Sequence, residues 1–121
     1  MSFSTLKDDR IPTRSSSPGW KAQPHDVSVV IGKYVHFNCR SSLSHKNTIW
    51  FHQGKKINKD YPLAYRFRIY NGKHSLRFGP VKAEDHDTVI GCEVTTNYGP
   101  LPSKVGKITV MSKYLTTHIH Q

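Results

Sequence analysis

The sequence predicts an all-β protein built from two packed sheets. Short segments in which apolar and polar residues alternate recur between residues 27 and 111, and no useful stretch shows the 3.6-residue periodicity of a helix. Asn71-Gly72 lies between two such segments, which is the strongest short-range signal of a β-hairpin. Two cysteines, Cys39 and Cys92, flank a tryptophan at Trp50, eleven residues after the first cysteine.

The spacing of Cys39, Trp50 and Cys92 favours an immunoglobulin-like sandwich with a Greek-key order of strands. In that fold one cysteine lies on strand B and the other on strand F, and the tryptophan of strand C packs on the bridge between the sheets. A bridge closing a loop of this length stabilises a small domain by roughly 4 kcal/mol and persists in an oxidising compartment. The same thiols can stay reduced in intracellular domains of this fold, so both states remain open.

The first half of the chain supplies strands A to C. Pro24 interrupts strand A, because proline donates no ladder hydrogen bond, and alternation resumes at residues 27–31. Strand B follows at residues 34–39, with its apolar side chains directed inward. Strand C passes through Trp50, and Gly54 begins the next turn. The histidines of strands B and C, His36 and His52, are expected to point outward.

The second half supplies strands D to G. Residues 65–78 read as a hairpin of strands D and E, in which arginines alternate with apolar side chains around the Asn71-Gly72 turn. Strand F is expected at residues 89–95 and strand G at residues 105–111. The domain therefore covers residues 18–112, after a disordered leader at 1–17 and before a flexible tail at 113–121.

Size and charge limit the classes of function. The chain of 121 residues allows one domain, and its net charge of +10 attracts polyanions such as nucleic acid, anionic lipid or sulfated polysaccharide. No run of residues is apolar enough for a membrane span, and the first ten residues lack the core of a signal peptide. If the protein is secreted or membrane-anchored, this chain is expected to be a piece of it.

Three segments of the chain carry a resemblance to a known family. They are Ser75-Leu76-Arg77-Phe78-Gly79-Pro80-Val81-Lys82-Ala83, Trp50 followed by Gly54-Lys55-Lys56-Ile57, and Arg66-Phe67. Across residues 18–111 the chain resembles the intermediate-set (I-set) immunoglobulin domains, and among them the first domain of LAR-type receptor tyrosine phosphatases. It departs from that pattern at Thr48, His52, Gln53, His86 and Ile90.

The resemblance implies the ectodomain of a cell-surface receptor that binds heparan or chondroitin sulfate proteoglycans and takes part in neuronal adhesion and axon guidance. Carried over by position, the glycan contacts are Lys55, Lys56 and Arg66, and Arg77 corresponds to an arginine in the relatives' strand E. Any phosphatase activity belongs to another part of a longer protein.

Alternation along strands D and E also predicts a basic patch without reference to the family. If the apolar residues point inward, then Arg66, Arg68 and Arg77 point outward together, on strands about 4.8 Å apart. Guanidinium groups grip sulfate with two-point geometry, and the lysines after Trp50 join the patch if their loop folds over strand D. The complete set of expected glycosaminoglycan contacts is Lys55, Lys56, Lys59, Arg66, Arg68 and Arg77.

Other interpretations remain open. The arginines can be a solvated face that protects a sheet edge, and the module can serve protein–protein adhesion outside the cell. It can also be an intracellular I-set spacer of a muscle or cytoskeletal protein. Nucleic acid is a poorer fit, because no recognition helix or set of stacking aromatics is evident. No catalytic motif, metal set or cofactor motif is present, so the sequence predicts a binding module and not an enzyme.

Overall fold

The computed structural model describes residues 19–43 and 45–112, without the side chains of His45 and Lys46. The expected leader, residues 1–17, and the expected tail, residues 113–121, lie outside the described residues. The strands are β1 (Trp20–Ala22), β2 (Val27–Val30), β3 (Val35–Asn38), β4 (Arg40–Ser41), β5 (His45–His52), β6 (Lys55–Lys56), β7 (Phe67–Tyr70), β8 (Ser75–Phe78), β9 (Val89–Thr96), β10 (Gly99–Pro102) and β11 (Gly106–Met111).

The strands form two main sheets, which confirms the predicted all-β sandwich. The larger sheet has the order β2-β11-β9-β5-β6, with β10 also paired to β9, and the smaller sheet has the order β3-β8-β7. β1 pairs separately with β4. The β2–β11 pairing is parallel, as expected when the first strand crosses to the second sheet after Pro24. The predicted strand G, residues 105–111, corresponds to β11, and β10 is a further strand that the sequence did not predict.

A disulfide and a tryptophan occupy the centre of the core. Cys39 and Cys92 are bonded, with their Cα atoms 6.4 Å apart. Trp50 lies directly opposite Cys92 in the β5–β9 pairing and is 1% exposed. Its indole Nε1 donates a hydrogen bond of 2.9 Å to the carbonyl oxygen of Lys73, in the loop between β7 and β8. The predicted positions of these three side chains are confirmed.

The β7–β8 hairpin differs from its prediction in two respects. Its loop comprises four residues, 71–74, because Tyr70 pairs with Ser75, and positive φ values extend beyond Asn71-Gly72 to Lys73. The second difference concerns Ile69, which was expected in the core but is 37% exposed. β7 is the outer strand of the smaller sheet, so its apolar side chains are covered on one flank only.

No helix in the described part of the chain is long and apolar enough to cross a membrane. Short 3-10 turns at Ala64–Arg66 and Ala83–Asp85 precede β7 and β9 respectively. These two turns decide where the charged side chains at this end of the smaller sheet point.

Candidate anion-binding face

Three basic side chains form a row across the smaller sheet. Arg68 of β7 lies directly opposite Arg77 of β8, and His36 of β3 lies opposite Arg77 on its other side. In the next row, Phe78 is buried in the core, so the alternation of the strands places the basic row on the outer surface. We call this surface, defined by His36, Arg68 and Arg77, the cationic face.

Aromatic side chains position the cationic face. The guanidinium carbon of Arg77 lies 4.7 Å from the centre of the Tyr34 ring, in a cation–π arrangement that restricts the half-buried arginine. Nδ1 of His36 lies 3.1 Å from the hydroxyl oxygen of Tyr70, within hydrogen-bonding distance. Tyrosines of the same outer surface therefore support the middle of the row, at Arg77, and its His36 end.

In the part of the chain that the structure describes, the two arginines of the cationic face have no acidic neighbour. Within residues 19–43 and 45–112, no carboxylate lies at ion-pair distance from Arg68 or Arg77. Like charges directly opposite each other on paired strands are destabilising. The arrangement lowers the energy of an anion held between the two guanidinium groups, because that anion would neutralise both.

Two cavities meet at the arginine pair. One, of about 370 Å³, extends toward the Ala64–Arg66 turn. Besides the arginine pair, it is lined by Tyr34, Tyr65, Arg66 and Lys82. The other, of about 280 Å³, is lined by His36, Tyr70 and the same two arginines. Arg68 and Arg77 thus belong to both cavities.

Arg66 does not belong to the cationic face, so the prediction that it points outward with Arg68 and Arg77 is wrong. Arg66 lies in the 3-10 turn before β7, where strand alternation does not apply. Its side chain is 8% exposed and donates hydrogen bonds of 2.7 and 2.8 Å to the two carboxylate oxygens of Asp85. It also donates to the carbonyl oxygen of Pro80 at 2.8 Å. These three hydrogen bonds within the protein make Arg66 a structural residue, although it also lines the cavity beside Arg68 and Arg77.

Asp85 is held in its charged form at this buried pair. Burial alone would raise the pKa of its carboxyl group, but hydrogen bonds from Arg66 and from the backbone N–H of Lys82 outweigh burial and lower the pKa. The Lys82 bond is 2.7 Å long. The pair thus joins the entry of β7 to the turn that precedes β9.

The predicted lysine contacts lie elsewhere. Lys55 and Lys56 form the short edge strand β6 of the larger sheet, where they pair with His52 and Phe51. Lys59 follows in the exposed segment after the core residue Ile57. The structure brings together Arg68 and Arg77 from the predicted set and places the three lysines on and after an edge strand of the other sheet.

His52 was predicted to point outward and is buried, 7% exposed. Its ring packs at 5.1 Å from Phe67 and 5.8 Å from Phe78, centre to centre, and it hydrogen-bonds to the hydroxyl of Tyr61. Burial lowers the pKa of its imidazole; Asp85 opposes this and Arg66 adds to it. The signal was available, since His52 is two residues from the inward-facing Trp50 and shares its side of β5.

Sequence reasoning missed the residues that flank the arginine pair: Tyr34, Tyr65, Tyr70 and Lys82. Tyr70 was detectable, because it is two residues from Arg68 on the same strand and so shares its outer side. Tyr34 was detectable too, because it is two residues before His36 in the predicted strand B. Tyr65 lies within a 3-10 turn and Lys82 directly before one, where no periodic pattern fixes the direction of a side chain. Among the described residues there is no group of three or more His, Cys, Asp or Glu side chains that could hold a metal ion.

The bridged two-sheet arrangement defines an immunoglobulin-like β-sandwich. Solved structures with this fold include "Duf (Kirre) D1", at 22% identity and a TM-score of 0.61, with 77% of this chain and 95% of that chain covered. The Ig1-2 module of the Drosophila receptor protein tyrosine phosphatase DLAR matches at 19% identity and a TM-score of 0.59, with coverage of 89% and 52%. Titin A168169 matches at 24% identity and a TM-score of 0.62, with 78% of this chain and 48% of that chain covered.

At identities below 25%, the structural likeness shows the shared fold alone. The chain spans about half the length of the DLAR and titin structures. No family model matches the chain, and no curated protein matches it.

Proposed function

We propose that this domain is a ligand-binding module of a cell-surface adhesion receptor and that its cationic face binds sulfated glycosaminoglycan, either heparan or chondroitin sulfate. The pairing of Arg68 with Arg77 carries the proposal: two guanidinium groups lie on opposed strand positions, with no carboxylate partner in the described part of the chain. Exposed Lys82 lines the adjoining cavity and adds a third cation.

The chemistry of the arginine pair suits a sulfate ester. A guanidinium fork donates two parallel hydrogen bonds to such a group, and lysines add point charges. The net charge of +10 attracts a long polyanion from a distance, and Lys55, Lys56 and Lys59 contribute to that attraction from the other sheet. Arg66 is not a contact in this proposal.

An extracellular location accords with the disulfide between Cys39 and Cys92, since such bonds persist in oxidising compartments. The likeness to Duf (Kirre) and DLAR supports an adhesion-receptor module, and we propose the I-set type as its subtype and axon guidance as its setting. The alternative is an intracellular spacer, a setting for which the titin match is the precedent. Thiol titration of the unfolded protein from its native source distinguishes them, because the spacer would show free thiols.

The test of glycan binding is heparin chromatography of an R68E/R77E variant. We expect elution at a much lower salt concentration than for the wild type, because two charge reversals remove the central contacts and the counterion release that accompanies them. The matched control is K21E/K104E, which changes the net charge equally at two exposed lysines outside the cationic face. Equal losses in the two variants would mean that heparin recognises net charge alone and would contradict the proposal.

Protein–protein adhesion through the larger sheet is a second candidate. A cavity of about 260 Å³ opens there above Gly91 in the middle of β9, lined by Phe51, Val89 and Val105. Val105 is 55% exposed, so this surface presents apolar side chains to a partner. A V105E variant that loses cell aggregation while eluting normally from heparin would favour this function. Unchanged aggregation would exclude it at this surface.

A further inference from the structure

We propose that the cationic face holds a linear sulfated sugar chain along β7 and β8, with one sugar ring packed against Tyr65. The chain continues over Arg68 and Arg77 into the cavity beside Tyr70. This inference rests on the proposed function and deepens it, because it adds an aromatic subsite and a direction to a charged surface.

The direction follows from the two cavities. They open on either side of one arginine pair, at opposite ends of β7, and a strand of four residues rises about 10 Å between its ends. That length exceeds a single sulfate or phosphate group. A ligand that fills both cavities must therefore be extended and must pass across the guanidinium groups.

Tyr65 supplies the aromatic subsite. It is 79% exposed, on the Ala64–Arg66 turn, and therefore contributes little to the core. Its ring lines the larger cavity together with Tyr34 and Lys82. The cavity volume, about 370 Å³, lies within the range of ligand pockets. The C–H face of a sugar ring carries slight positive charge and packs against the negative face of an aromatic ring, while its sulfate groups reach the neighbouring cations.

Tyr34 preorganises Arg77, which is the central ligand contact. Because its ring lies under the Arg77 guanidinium, the arginine keeps its position before any ligand arrives. A side chain already held in its binding geometry loses less conformational freedom on binding. The subsite thus combines a free aromatic surface at Tyr65 with a restrained fork at Arg77.

The first experiment compares two polyanions, heparin oligosaccharides and inorganic polyphosphate, which has no rings. We expect Y65A to bind a heparin octasaccharide about fivefold or more weakly, on the scale of lost aromatic stacking, with an unchanged slope of log affinity against log salt. Y65F should bind like the wild type. Polyphosphate should bind Y65A and wild type equally, whereas R68A should weaken both ligands and lower the slope by about 1.

The second experiment varies oligosaccharide length. Affinity should rise from disaccharide to octasaccharide as the ligand reaches both cavities, and Y65A should show a smaller rise. Thermal unfolding of Y65A should match that of the wild type, since the side chain is exposed.

The aromatic subsite is refuted if Y65A binds the octasaccharide normally, or if it loses polyphosphate affinity to the same extent. A disaccharide that binds as tightly as an octasaccharide refutes the extended track. The underlying function is refuted by different results. Either the wild-type protein binds no heparin oligosaccharide, or R68A binds heparin oligosaccharides as tightly as the wild type does.

Discussion

Arg66 and Arg68 are two residues apart and occupy opposite environments. The Arg66 side chain is 8% exposed and donates to both carboxylate oxygens of Asp85. Arg68 is exposed, opposite Arg77, with no carboxylate at ion-pair distance in the described part of the chain. The first arginine joins two parts of the fold, and the second leaves its donors available to a ligand.

The boundary between a 3-10 turn and a strand causes this difference. Arg66 is the last residue of the turn, and β7 begins at the next residue. Only within the strand do alternate side chains share a face. One arginine-rich segment therefore contains a structural residue and a binding residue, and sequence spacing alone does not separate them.

The largest expected effect is on the buried pair. Asp85→Ala leaves the Arg66 charge buried without its partner, and we expect a loss of about 3–5 kcal/mol in the free energy of unfolding. Urea denaturation at neutral pH measures it. The matched control is Arg68→Ala, at an exposed position, which should change stability by less than about 0.5 kcal/mol. Similar losses of unfolding free energy in the two variants would contradict the assignment of Arg66 as structural and Arg68 as a surface residue.

The pH dependence of stability sharpens the same comparison. Burial lowers the pKa of His52 in the folded protein below its usual 6.5. Between the folded-state pKa and 6.5 the unfolded chain binds more protons than the folded protein, so the free energy of unfolding falls as pH falls. The lowered pKa of Asp85 has the same sign: its contribution is present above pH 3.8 and is lost as pH falls through the folded value.

Denaturation of wild type and H52Q between pH 7.5 and pH 5 tests the first of these effects. The slope of unfolding free energy against pH should be smaller in H52Q. Equal slopes would show that the burial of His52 does not disfavour its protonation.

A smaller effect is expected at the exposed pair. Arg68→Glu replaces a like-charge pair by an opposite-charge pair with Arg77, and should stabilise the hairpin by about 0.2–1 kcal/mol while weakening heparin binding. Added NaCl should reduce this gain, because exposed charges are screened. Urea denaturation at low and high salt measures both. A destabilised variant, or a gain that persists in high salt, would argue against repulsion between Arg68 and Arg77.

Most residues in regular strands were predictable from the sequence, although His52 and Ile69 were misplaced, and residues in turns were not. Alternation correctly placed Arg68 and Arg77 on one outer face, and the Cys-Trp-Cys spacing located the bridge and the core tryptophan. Arg66 was misplaced because nothing in its local pattern reveals that the strand begins one residue later. Tyr65 was missed for the same reason, since its direction depends on the fold of a turn.

The hydrogen bond from the indole of Trp50 to the carbonyl of Lys73 crosses from the larger sheet to the loop that closes the β7–β8 hairpin. A ligand lying along that hairpin and shifting its loop would change the surroundings of the indole. We therefore expect the emission of Trp50, measured in a W20F background because the chain has a second tryptophan, to report occupancy of the cationic face without a label.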